Sequence, residues 1–159
     1  MAQITVRMLR REDYPQVLRI FRQLHKTHSD LRPDFYYASD IPISEERYVQ
    51  LLEEGMQVLG AMDGEILAGM CFYQWMPNMP NPLVKPRKTI LLDDICVDEA
   101  YRRQGIGELL CRKAIEMAKV ENADAVELGV WAENSPAVAL YRKMGFAPRT
   151  MRMELRLDR

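Results

Sequence analysis

Asp93-Asp94-Ile95-Cys96-Val97-Asp98-Glu99-Ala100-Tyr101-Arg102-Arg103-Gln104-Gly105-Ile106-Gly107 is the stretch on which the fold turns. Its first part ends an apolar run that starts at Thr89 and reads as a buried strand to Val97. Its last part is a glycine turn, and from Ile106 the residues Leu109, Leu110, Ala114, Met117 and Ala118 recur at helical spacing. Glu108, Arg112, Lys113, Glu116 and Lys119 lie largely opposite, so the helix is amphipathic and docks on a sheet. A strand, a turn and a helix in that order aim the first unpaired N–H groups of the helix at one point. The helix dipole adds roughly half a positive charge there, and Gly105 and Gly107 let the backbone approach a pyrophosphate without a Cβ in the way. Two common phosphate loops are excluded. Glu108 follows Gly107 where a Walker loop has Lys and then Ser or Thr, and Leu110 stands where a dinucleotide fold needs its third glycine.

Outward from this centre the chain alternates strands and helices. Ile4 to Leu9 reads as a first strand, and Asp13 offers an N-cap ahead of Pro15 for a helix carrying Val17, Leu18, Phe21 and Leu24. Ser44 caps a second, short helix that ends at Gly55. Gln57 to Met62 and Glu65 to Trp75 flank Asp63-Gly64, the signature of a hairpin with a type I′ turn. Pro77, Pro80, Pro82 and Pro86 make 77–88 an irregular loop. After the central helix, Ala125 to Trp131 forms a strand, Ser135 caps a helix that opens with Pro136, and Gly145 supplies its left-handed end. Phe146 to Leu157 ends in the alternation Met151, Met153, Leu155, Leu157, which predicts a last strand with Arg152, Glu154 and Arg156 outward.

A chain of 159 residues, 48% hydrophobic, suits one domain over 1–159. A formal charge of -1 gives no cationic field for nucleic acid or an anionic membrane. No run approaches a membrane span and no basic segment precedes an apolar leader, so cytoplasm is the expected compartment. Cys71, Cys96 and Cys111 are odd in number and lie in apolar segments, which suits reduced, buried thiols, and neither they nor His25 and His28 have the spacing of a metal site.

Three segments together carry a resemblance: Ile95-Cys96-Val97-Asp98, then Arg102-x-x-Gly105-x-Gly107, then Asn134-x-x-Ala137-x-x-Leu140-Tyr141-x-x-x-Gly145-Phe146. In order and spacing they resemble the signature of the GCN5-related N-acetyltransferases. The resemblance implies an α/β (mixed α+β) acyl-CoA N-acyltransferase fold, with a central, mostly antiparallel twisted sheet, about four flanking helices and a splayed strand at 89–97. It implies an enzyme that moves the acetyl group of acetyl-CoA to a primary amine by direct attack in a ternary complex, without a metal. The segment Ile95, Cys96 and Val97 would meet the pantetheine arm, with main-chain groups of Ile95 and Val97 pairing with it and the Val97 N–H facing the thioester carbonyl. Arg102, Arg103, Gln104, Gly105, Ile106 and Gly107 would hold the pyrophosphate, and Asn134 would offer its amide to the cofactor. Tyr141 would protonate the departing thiolate.

A protonated amine must lose its proton before attack, and Asp93 and Asp94 are the candidate bases. Asp93 matches the position where many relatives carry Glu. Strict strand alternation would turn Asp94 to the opposite face, so at most one acts. In relatives the acceptor lies between loops corresponding to 29–43 and 77–88. Asp30, Asp34 and Asp40 beside Phe35, Tyr36 and Tyr37 suit either a cationic amine or an ordinary solvated loop with aromatics folded inward. His25 and His28 would titrate, complete that pocket, or satisfy carbonyls. The partners implied are a small-molecule or peptide amine and a second copy of the chain in a homodimer. The competing function is a non-catalytic acyl-CoA sensor or interaction module on the same fold.

Overall fold

Main-chain pairing organises the computed structural model, which describes residues 3–157. The strands are β1 (Ile4–Met8), β2 (Gln57–Asp63), β3 (Ile66–Trp75), β4 (Thr89–Val97) and β5 (Ala125–Leu128), and the helices are α1 (Tyr14–Leu31), α2 (Glu45–Glu53), α3 (Ile106–Val120) and α4 (Ser135–Lys143). The sheet order follows the sequence, β1-β2-β3-β4-β5, antiparallel throughout except for the parallel pair β4/β5. The expected mixed sheet with four helices is present. No helix among the described residues is long and apolar enough to cross a membrane.

Alternation in the strands splits the core into two layers. Val58, Met70, Phe72 and Cys96 pack with Val17, Ile20 and Leu24 of α1 and Tyr48 of α2. Leu59, Cys71, Tyr73, Ile90 and Leu92 face Leu110, Cys111, Ala114 and Ala118 of α3. The three cysteines are free and buried within these layers. The β2/β3 hairpin turns at Gly64, whose φ of +61° is the only positive value in the turn, so it follows the type II′ pattern with one left-handed residue and not the type I′ expected. Ser44 caps α2 as expected, accepting from the Arg47 N–H at 3.1 Å. Asp13 precedes α1 without capping it, because its carboxylate is taken by Arg7 and by the Arg10 N–H.

Two strand expectations are corrected. The β5 ladder stops at Leu128, short of Trp131. Residues 146–157 join no ladder at all, and Met151, Met153, Leu155 and Leu157 are 75 to 85% exposed. Alternation reports an extended backbone with two unlike faces, whereas a strand also needs a neighbour; here both faces are exposed, although Glu154 pairs with Arg32 at 2.7 Å and Arg156 reaches Asp34 at 3.8 Å.

Helix α1 also grips the turn that leads from β4 to the glycine loop. Asp98 is 4% exposed, pairs with Arg19 and accepts from the Ala100 N–H at 2.9 Å. Arg19 donates in addition to the Leu67 carbonyl at 2.7 Å, and Gln23 accepts from the Glu99 N–H at 2.9 Å. Removing the carboxylate in Asp98→Ala strands a cation and an amide, which costs about 2 kcal/mol. Urea unfolding of that variant should show a lower midpoint at unchanged slope, and an unchanged midpoint would show that the clamp contributes nothing.

Candidate functional site

The direction of each main-chain group on β4 follows from one bond. The Asp98 N–H donates to the Ala68 carbonyl at 2.8 Å, which makes Asp98/Ala68 a hydrogen-bonded pair. Such pairs alternate in an antiparallel ladder, so Cys96/Met70 is the next one. Ile95 and Val97, opposite Cys71 and Gly69, therefore turn their N–H and C=O groups away from β3 and toward the β5 side. Yet β5 pairs only with Thr89 to Leu92. From Asp93 onward that edge of β4 is open to an extended ligand, apart from the Arg102 Nε, which lies 3.4 Å from the Val97 carbonyl. Cys96 does not belong on this edge: its main chain faces β3 and its side chain lies in the α1 layer.

The turn that follows is an anion cradle. Arg103 and Gly105 both take left-handed φ values, +63° and +77°. A Cβ on Gly105 would meet no atom within 4 Å, so open space lies above it. The Leu109 N–H makes the first turn-closing bond of α3, to the Gly105 carbonyl at 2.9 Å, which leaves the N–H groups of Ile106, Gly107 and Glu108 without a helical acceptor. Gly107 serves packing, since a Cβ there would come 3.3 Å from Leu140 and 3.6 Å from Val97. Gly69, which sequence reasoning passed over, has a matching role: its Cβ would lie 3.0 Å from Ile106 and 3.2 Å from the Cys96 carbonyl. Its signal was a glycine inside an apolar strand. Lys143 is tied to Glu108 at 2.7 Å and so braces α4 against α3.

The two acids are not on opposite faces. Phe72 pairs with Asp94 and Tyr73 with Leu92, so Asp93 is an inserted bulge residue that shifts the parity of β4 by one. Asp94 thereby shares the face of Phe72 and Cys96, and Asp93 reaches the same side, accepting from Gln74 at 3.1 Å. Burial, reinforced by the Asp93 charge, pushes the Asp94 carboxyl up to about 6. Asp93 is raised by burial while the Gln74 bond opposes the shift. Tyr141 is half-buried on α4 with its ring edge-on to Phe146 at 5.8 Å. Burial raises its phenol well above the ordinary value, and Cys71, Cys111, Asp94 and Cys96 act in the same direction. Among the described residues no protein group accepts from its hydroxyl.

Asn134, and not Ser135, caps α4, its Oδ1 accepting from the Ala137 N–H at 3.4 Å, which leaves its amide NH2 without a protein partner among the described residues. In the loop expected to meet an acceptor, two of the three acids are engaged: Asp34 pairs with Arg32 at 2.8 Å and Asp30 with Lys26 at 2.6 Å. The aromatics fold inward. Arg32 lies 4.9 Å over the Trp131 ring, Trp131 Nε1 donates to the Tyr36 hydroxyl at 3.0 Å, and His28 stacks on Tyr36. His25 meets the Tyr37 carbonyl at 2.6 Å.

An open strand edge running into a turn with unbonded helix amides is a shape that an extended, phosphate-bearing ligand would fit. The chain belongs to the acetyltransferase (GNAT) family, which matches residues 20–146. An L-amino acid N-acetyltransferase of Escherichia coli (strain K12) is 26% identical over 153 residues, 92% of this chain and 84% of that protein. An uncharacterised N-acetyltransferase of Methanocaldococcus jannaschii is 37% identical over 76 residues; these make up 48% of this chain but 31% of that relative. The crystal structure of a mutant BH1408 protein from Bacillus halodurans superposes with a TM-score of 0.91 at 30% identity, over 96% of this chain and 99% of that one.

The raised Asp94 carboxyl has a consequence for stability. The unfolded chain releases this proton near 3.8 and the folded protein near 6, so between those values the folded state holds more protons and stability falls as pH rises. Above pH 6 the half-buried charge carries a penalty on the order of 2 kcal/mol, reduced by its partial solvation. Asp94→Asn should therefore melt higher than the parent at pH 7.5 and alike at pH 4; equal melting at both would mean that Asp94 ionises as an ordinary surface acid.

Proposed function

We propose that this chain is a cytoplasmic enzyme transferring the acetyl group of acetyl-CoA to a primary amine, by direct attack of the amine in a ternary complex. The observation that carries the proposal is the continuity of the outward main-chain groups of Ile95 and Val97 with the unbonded amides at the start of α3. These fit an extended amide-bearing arm and a pyrophosphate in that order, which is the donor molecule's own layout. Acetyl-CoA supplies an activated thioester whose thiolate departs.

The protein's part is to hold, polarise and move protons. Ile95 and Val97 bind the pantetheine arm as an added strand, and the amides of 103–107 bind the pyrophosphate with the Arg102 and Arg103 side chains at its flank. The Val97 N–H is oriented to stabilise negative charge on the carbonyl oxygen under attack. Asp94, ionised at neutral pH yet basic for a carboxylate, takes the proton from the acceptor ammonium, directly or through a water, with Asp93 adding negative potential beside it. Tyr141 stays protonated throughout the neutral range and donates to the leaving thiolate. The uncommitted amide of Asn134 completes the donor side. The name of the Escherichia coli relative makes the α-amine of a free amino acid the first acceptor class to test.

Incubation with acetyl-CoA should release thiol only when a primary amine is present. Tyr141→Phe should lower kcat by about 100-fold with little change in the KM for acetyl-CoA. The kcat/KM of the parent should rise with pH through about 6, and that limb should vanish in Asp94→Asn. Equal turnover in Tyr141→Phe would remove it as the acid. Tight acetyl-CoA binding by calorimetry with no amine-dependent thiol release across a broad panel would make the protein a non-catalytic acyl-CoA sensor.

A further inference from the structure

One face of α1 joins the two acids of β4 to the aromatic cluster of the following loop. Phe21, His25 and His28 recur at i, i+4 and i+7 and so share that face. Phe21 meets Phe72, the cross-strand partner of Asp94, with ring centroids 5.9 Å apart, while His25 and His28 lie 5.9 and 5.7 Å from the Tyr36 ring. Along the helix axis the contacts of Tyr36 therefore begin about 6 Å from Phe21 and end about 10 Å from it. Trp131 closes the cluster from the other side. It comes three residues past the last β4/β5 pair, Leu92 with Leu128, as Ile95 does. Trp131 is edge-on to Phe35 at 5.3 Å and to Tyr36 at 6.0 Å, and its Nε1 donates to the Tyr36 hydroxyl at 3.0 Å. Held in this way, Phe35 is still 59% exposed. A fixed and exposed ring needs little ordering to receive another ring.

The charge on this wall decides what can lie there. Arg32 sits 4.9 Å over Trp131 and 5.8 Å over Phe35, its guanidinium fixed by Asp34 at 2.8 Å and by Glu154 at 2.7 Å. A ring face already covered by a guanidinium offers little further cation–π attraction, and a second cation beside it is repelled. Asp34 and Asp30 are bound to Arg32 and Lys26, which leaves Asp40 as the acid of this loop without a cation among the described residues. The wall thus offers aromatic surface and no matching set of carboxylates. Resting on the acetyl-transfer reading above, we infer that the acceptor is a primary amine joined by a short linker to one neutral aromatic body, of the arylalkylamine kind, with its ring on the Phe35–Trp131 wall and its nitrogen toward Asp94. An ethyl or propyl linker and a ring cross the span from Phe72 to Tyr36. The amine nitrogen bonds the acetyl carbonyl carbon as the C–S bond breaks, its proton goes to Asp94 and the thiolate takes one from Tyr141, giving an N-acetylated amine and free coenzyme A. Arg32 disfavours acceptors that carry further cations.

Calorimetry on the protein saturated with coenzyme A, which has no acetyl group to give, tests the wall without turnover. Phenethylamine should bind about 10-fold more tightly than ethylamine, which lacks the ring, and than spermidine, which adds cations. In turnover, Trp131→Ala should raise the KM for phenethylamine about 10-fold, with kcat and the KM for ethylamine as in the parent. An unchanged KM for acetyl-CoA in the same variant shows that it is folded. Phenylalanine carries the same ring and amine, and comparing it with phenethylamine tells whether an α-carboxylate is accepted too. Ethylamine or spermidine binding as tightly as phenethylamine overturns the inference, whether or not any amine is acetylated. So does an unchanged KM for phenethylamine in folded Trp131→Ala. Thiol release with no amine, while phenethylamine still binds ahead of the other two, would instead overturn the acetyl-transfer reading and leave the ring site standing.

Discussion

The site depends on one inserted residue in β4. Main-chain N–H and C=O groups in a buried sheet are obliged to pair, so an open strand edge inside a fold is an unstable arrangement unless something enforces it. Asp93 enforces it here. As the extra residue opposite the Phe72/Tyr73 step it bends the strand, and pairing with β5 ends at Leu92, the residue before it. Three consequences come from the same insertion: the groups of Ile95 and Val97 face an open edge, Cys96 turns into the core, and Asp94 joins Asp93 on the α1 side. Gly69 and Gly107 then allow α3 and α4 to close on that edge, and the Arg19–Asp98 clamp holds the turn between them.

The glycine turn and the free amides that follow it were legible from sequence because their signals are local. Gly105 at a strand-to-helix junction implies a left-handed turn and free helix amides wherever it occurs, and the φ of +77° bears this out. The bulge was not legible. A period-two reading assigns faces by counting, and a count cannot register an insertion that exists only relative to the partner strand. Counting thus sends Asp94 to the wrong face and groups Cys96 with its neighbours. The tail 146–157 failed for a related reason, since alternation describes a strand's faces and not its neighbour. Asn134 and Ser135 are both good N-caps, and choosing between them took the backbone geometry.

The acceptor side was illegible for a different reason. Its residues interact across long separations that spacing does not report: Arg32 with Glu154, Tyr36 with Trp131. Those contacts alter what the loop offers. Arg32 and Arg156 hold the Asp34 carboxyl down at about 2, and Lys26 pairs with Asp30, so two of the three loop acids are neutralised by their own chain. Asp40 stays exposed, its carbonyl taken by Arg22. The aromatic residues Phe35 and Tyr36 are packed against Trp131 and form a wall more than a cage. The carboxylates of this loop and of β4 that lack a cationic partner among the described residues are Asp40 on the loop and Asp93 and Asp94 on the strand.

That arrangement sets stability against reactivity at one residue. A carboxylate fully solvated or paired with arginine, like Asp34, is stable and a poor base, because its proton affinity is low in the neutral range. Asp94 is flanked by Phe72, Cys96 and a second acid, and no cation relieves it among the described residues. The folded state bears the cost of that charge at neutral pH, and the cost is the same free energy that raises its proton affinity. The bulge is what permits it, since without the parity shift Asp94 would face the α3 layer, remote from Asp93 and the α1–α2 side. The residue whose insertion ends the pairing with β5 is therefore also the one that brings Asp94 beside Asp93 on the α1 face.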